Sequence, residues 1–224
     1  MLEFALALAV FVAAHALPRA TGLRDRLIGR FGRAAYLGGY SLLSVVLLGW
    51  LIAAAWRAPY IPLWHPTAAT AAAALAAMLP ACLLLAGAAL RPNPLSVAFA
   101  GGDVDPKAPG VLAITRHPIL WAFFLWAAGH AVANGDVVGV VMFGGFAAFS
   151  LAGMRVLEVR TRQRMTPAAW ANAASVATGS LPQRLRRAAS ARTAAEMLTG
   201  TAFYAFLLWV HPHLFGVDPL ASLR

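Results

Sequence analysis

Six long apolar runs, each separated from the next by a polar stretch, dominate this sequence, and they leave few folds open. They lie at about Leu2–Leu17, Ala34–Trp56, Thr67–Leu90, Pro118–Asn134, Val137–Met154 and Ala194–Val210. A helix rises 1.5 Å per residue, so a run of about 20 residues spans a hydrocarbon core of about 30 Å. In lipid every backbone N–H and C=O must be satisfied internally, which favours helices over isolated strands. The expectation is an all-α, polytopic membrane bundle of about six transmembrane helices, forming one domain over residues 1–224. Charge supports it: only 12% of residues are charged, about half the share of a soluble domain.

The charges also orient the chain. Sixteen of the eighteen Lys and Arg residues fall in three segments, after the first run, before the fourth and before the sixth. Helix parity puts these three segments on one face, and the positive-inside rule makes that face cytoplasmic. Both termini are then periplasmic, as expected of a multi-pass protein of a bacterial inner membrane. Met1 to Leu17 has no basic n-region, carries Glu3, and is followed rather than preceded by Arg19, Arg24 and Arg26. That order fits a retained first helix and not a cleaved leader. The net charge of +10 is therefore a topology signal. No basic segment has the aromatic or glycine-rich interleaving of a nucleic-acid module, so the expected partner is the bilayer. Cys82 is the sole cysteine, which excludes an intramolecular disulfide.

Several local signals refine the runs. Thr67 reads as an N-cap, Pro118 as a first helical residue and Gly135 as a C-cap. Pro18 reads as the stop of the first run. The third run is largely alanine with Pro80 and Gly87, a composition that permits close helix contact and predicts a helix buried within the bundle. Gly139, Gly144, Gly145 and Gly153 suggest the same for the fifth. Thr166-Pro167 predicts a cap and a short helix through Trp170.

An ionisable side chain inside a membrane helix is a functional candidate by default. Of six histidines, His65, His211 and His213 fall at the outer side and receive no role. His15 lies within the first run, His117 at the cytoplasmic mouth of the fourth, and His130 thirteen residues further along it. Neutral imidazole is a common ligand of metals and of haem iron. A histidine hydrogen-bonded to its surroundings is the simpler reading of any one alone. Depth pairs His15 with His117, because His130 lies deeper by about 20 Å at 1.5 Å per residue. Arg116 and His117 stand where a helix N-terminus favours an anionic group. No residue is assigned a catalytic role.

The segments Ala14-His15-Ala16-Leu17-Pro18, Thr115-Arg116-His117-Pro118 with Trp121, Leu125-Trp126, Gly129-His130 and Asn134-Gly135-Asp136 together resemble the NnrU family of bacterial inner-membrane proteins. The resemblance runs over most of the chain. It implies an association with denitrification, in nitrite or nitric oxide metabolism. It also implies kinship with the plastid 15-cis-zeta-carotene isomerase, a haem b enzyme with two histidine ligands. Carried over by motif, those ligands are His15 and His130, with His117 as the alternative ligand and Arg116 beside it in the cofactor-binding set. The implied activity is redox-linked or isomerase-like, on a polyene, with a membrane redox or reductase partner. Two other readings stand beside it. One is a non-enzymatic accessory or assembly factor for a membrane reductase. The other follows from Arg116-His117-Pro118, which resembles the S-adenosylmethionine-dependent isoprenylcysteine-type methyltransferases. There this chain has Leu120-Trp121 and a lone Glu158 beside Val159, so the tyrosine and the second glutamate of that pattern are missing.

Overall fold

The computed structural model describes residues 1–224, the side chain of Arg19 excepted. Arg19, one of the basic residues used to orient the chain, thus lies outside the described side chains. The chain is helical: α1 (Leu2–Ala20), α2 (Leu23–Phe31), α3 (Arg33–Arg57), α4 (Ala68–Ala89), α5 (Pro118–Asn134), α6 (Val137–Arg164), α7 (Pro167–Ser175), α8 (Leu181–Ala188) and α9 (Ala191–Phe215). Helices α3, α4, α6 and α9 are each long and apolar enough to cross a bilayer. Helix α5 is apolar but shorter, and α1 passes the same test together with α2, from which it is bent by 70°. Large apolar side chains such as Leu42, Val45, Phe149, Leu198 and Trp209 are exposed. In water these would form untenable patches, whereas a bilayer covers them.

Two compact units divide the chain: Met1–Leu63 with Asp136–Met142, and Trp64–Gly135 with Phe143–Arg224. In the first, α1 packs on α3, and Glu3 accepts hydrogen bonds from Arg57 and, at 3.4 Å, from Trp50 Nε1. In the second, α4 packs on both α5 and α9.

The second unit shows why the alanine-rich run matters. A Cβ added at Gly200 of α9 would stand 3.0 Å from the Cys82 carbonyl oxygen, and one added at Gly129 of α5 3.4 Å from that of Ala74. Gly87 of α4 is closed off by Val111 and Met197. Small residues thus let α5 and α9 approach the α4 backbone, as expected of helices that associate by van der Waals contact in lipid. Two glycines of α6 differ from expectation. Gly144 and Gly145 have open space beside them, and Gly153 meets Leu120 only at ordinary contact distance.

Helix ends follow local chemistry. Thr67 and Thr70 form a reciprocal capping pair, His117 precedes Pro118 at the start of α5, and Gly135 closes α5 in the left-handed conformation with φ 66°. Pro18 does not end α1, which runs to Ala20. A proline in the last turn removes one hydrogen bond from a helix already about to stop. Helix α6 continues to Arg164, beyond the expected Met154. No breaker intervenes before Pro167, which holds Thr166 extended at ψ 151°. The arginines on that extension have long stems that let their heads reach water. Ser190 caps α9 through the Thr193 N–H at 3.0 Å, so that helix begins before Ala194.

Candidate functional site

Helix α5 carries two of the three histidines singled out from sequence, and its ends differ chemically. At the N-terminal end His117 is buried, with 7% of its surface exposed. Its Nδ1 lies 2.9 Å from Ser96 Oγ and its Nε2 3.3 Å from Glu158 Oε2. Arg116 donates to the same carboxylate at 2.9 and 3.2 Å, and its guanidinium sits 5.9 Å from the Trp170 ring centre. Arg162 stacks closer on that ring, at 4.7 Å. Asn93 Nδ2 donates to the Arg116 carbonyl at 2.9 Å, fixing the turn into α5. The anionic group that meets Arg116 is therefore internal, the Glu158 carboxylate. Burial pushes the His117 imidazole below its ordinary pKa, partly offset by Glu158 and reinforced by Arg116. A cleft of about 360 Å³ opens beside the cluster, lined by His117, Leu151, Met154, Arg155 and Glu158.

Next to it a second ionic group ties the end of α4 to the start of α9. Arg91 donates to both Glu196 oxygens, to Thr193 Oγ1 and to the Ala108 carbonyl. Arg91 is 4% exposed and Glu196 14%. Gly110, at φ 55°, lies against the guanidinium where a Cβ has no room.

At the C-terminal end of α5 the surroundings are aromatic. His130 Nδ1 lies 2.8 Å from the Trp126 carbonyl. A carbonyl only accepts, so Nδ1 carries a proton and donates. No hydrogen bond among the described residues uses the ring's Nε2. The Trp126 ring lies 5.2 Å and the Phe143 ring 5.0 Å from the imidazole, centre to centre. His211 of α9, to which sequence reasoning gave no role, lies 6.4 Å away.

His15 belongs to the other unit and repeats the His130 pattern. Its Nδ1 donates to the Phe11 carbonyl at 2.7 Å, with the Phe11 ring at 4.3 Å and Tyr40 at 5.7 Å. A histidine donating to the carbonyl four residues back, as in Phe11-to-His15 and Trp126-to-His130, is a local arrangement readable from the helix period. Glu158, Ser96 and His211 carry no such local signal, because their partners are 41, 21 and 81 residues away.

Among the described residues no group of three or more His, Cys, Asp or Glu side chains is placed to hold a metal. The donor set is thus isolated imidazoles with an oriented Nδ1 and an available Nε2. That suits a group bringing most of its own ligands, as haem does, better than a bare ion needing three or four.

No protein of curated function and no solved structure matches the chain. The family model described as NnrU protein matches residues 3–219. With that match covering nearly its whole length, over the same apolar helices just described, the chain belongs to the NnrU family.

Proposed function

We propose that this protein is a haem b-binding, redox-linked component of the bacterial inner membrane, with both termini periplasmic. Its connection is to nitrite and nitric oxide metabolism or to isomerisation of a polyene. The observation that carries the reading is the shared state of His15 and His130. Each has its Nδ1 turned to a carbonyl of its own apolar helix, and no hydrogen bond among the described residues uses its Nε2. In a ligating histidine such a carbonyl bond fixes the tautomer, orients the ring and raises the basicity of the ligating nitrogen. His117 has neither ring nitrogen to spare, which favours His130 as the α5 ligand and His15 as the partner the family resemblance implies. Arg116 then serves the α5 entrance through Glu158 rather than the cofactor directly.

When bound, haem b would supply a one-electron couple and an iron centre able to transfer electrons or to bind a small ligand. The chain's part would be to present the imidazoles, hold them with backbone carbonyls, and surround His130 with the Trp126 and Phe143 rings.

The test is an absorption spectrum of protein expressed with ample haem and purified gently. A Soret band with sharp reduced-state bands is expected, lost or altered in His130→Ala and unchanged in His65→Ala. Haem-replete protein without any such band contradicts the reading and leaves the accessory-factor or methyltransferase reading in its place. Saturable S-adenosylmethionine binding separates those two.

A further inference from the structure

We propose that α8 is an interfacial helix that docks on the headgroups of anionic phospholipids, with Leu181 and Leu185 entering the acyl boundary and Arg186 meeting lipid phosphate. This surface is independent of the haem reading.

Placement comes first. Arg184 Nε donates to the Ala113 carbonyl at 2.9 Å, and α8 packs on the short 3₁₀ turn Gly110–Ala113. That turn lies just before α5 begins at Pro118. The Arg116–Glu158 contact brings α6 to the same end at 2.9 Å. Arg192 donates to the Leu90 carbonyl at 3.0 Å, which adds the end of α4 and the start of α9. Helix α8 is thus fixed beside the ends of apolar helices, and in a bilayer those ends lie at headgroup depth.

The faces of α8 match that depth. Leu181 and Leu185 are one turn apart on one side, and both are exposed, by 59% and 53%. Arg184 is held by Ala113, and Arg187 donates to the Ser175 and Thr178 carbonyls. The Arg186 guanidinium has no partner among the described residues. It follows Leu185 by one position, about 100° around the helix. That is the flank from which a long basic side chain reaches headgroups while its apolar neighbours sit deeper.

Charge names the partner. Residues 155–192 hold eight arginines and one carboxylate, Glu158. Glu158 is taken by Arg116 and His117, and the next carboxylate, Glu196, by Arg91 and Arg192. The positive surplus therefore calls for an external anion. An acidic protein or a nucleic acid also carries negative charge, but an exposed leucine pair beside the span ends favours lipid. A topology signal alone acts while the chain is inserted and leaves no lipid preference in the finished fold.

The test uses the full chain carrying Cys82→Ala and Leu185→Cys, which leaves one thiol, on α8, for a bimane label. The protein is placed in nanodiscs of phosphatidylcholine mixed with phosphatidylglycerol, with one lipid or the other brominated in its acyl chains. The expected result is stronger quenching by brominated phosphatidylglycerol than by brominated phosphatidylcholine at equal content, with the difference shrinking at raised salt. One arginine near the surface corresponds to a preference of about fivefold. Arg186→Gln should therefore lower the preference by about that factor, and Arg186→Lys should keep it. Equal quenching by the two lipids, or a preference unchanged in Arg186→Gln, overturns the headgroup docking. Quenching by neither lipid places the leucine face against water or another protein and overturns the interfacial position.

Discussion

The two ends of α5 hold a histidine each and treat it in opposite ways. At the His117 end both ring nitrogens are paired, to Ser96 and Glu158, and Arg116 shares the Glu158 carboxylate and lies by Trp170, while Arg91 and Glu196 form a further ion pair. At the His130 end one ring nitrogen is bound to a carbonyl, the other is left open, and the neighbours are aromatic. Buried polar groups in a membrane protein are costly unless satisfied. The paired end is therefore tied down by its own side chains, whereas a ligand at the open end is what the proposed function calls for. The two ends are also held differently, the first by ions and the second by small-residue contact between α4 and α5.

The largest effect should come from breaking the paired end. Removing one partner of a buried ion pair leaves the other uncompensated, at a typical cost of about 3–5 kcal/mol. Arg91→Ala is expected to lose about that much in detergent unfolding while keeping whatever haem the folded fraction binds. Arg91→Met in combination with Glu196→Leu should recover much of the loss. A stable Arg91→Ala would mean that this end is not held by ions.

A smaller effect is expected where small residues hold the second end. Ala77 faces Gly129, with its Cβ 3.5 Å from the position a Cβ on that glycine would take. Ala77→Leu should overpack the contact, at about 1–3 kcal/mol, and should disturb the neighbouring His130 environment. Unchanged stability would show that α4 yields at this level.

The smallest expected effect is a pH dependence from His117. Its pKa is depressed in the fold, mainly by burial. Between the folded value and the unfolded value of about 6.5, the unfolded chain binds more protons. The stability contribution is therefore present above about pH 6.5 and is lost as pH falls through the folded pKa. Wild type should lose stability on acidification through this window more steeply than His117→Gln, read as unfolding midpoints against pH. Identical slopes would place the titration elsewhere.

Much of this was readable from residue order because it is local. The helix-forming runs, the Thr67, Pro118, Gly135 and Thr166 end signals, and the close-packing α4 all follow from short-range chemistry. Where local rules compete, order misleads. Pro18 near the end of α1 breaks nothing, and the arginines after Met154 stay helical because nothing stops them before Pro167. Gly144 and Gly145 face open space because a glycine marks a close contact only where a partner helix arrives. The site was legible as a set of histidines but not as pairs. Glu158 beside Arg116 and His211 beside His130 are products of how α5, α6 and α9 meet, and no spacing in the sequence encodes them.

The central claim is that the open imidazole, and not the paired one, binds the cofactor. The most direct measurement is the Soret and reduced-state spectrum of haem-replete His130→Ala set against His117→Ala, each normalised to folded protein. The account predicts that His130→Ala loses or alters the bands while His117→Ala keeps them. Bands that survive in His130→Ala and vanish in His117→Ala would contradict it.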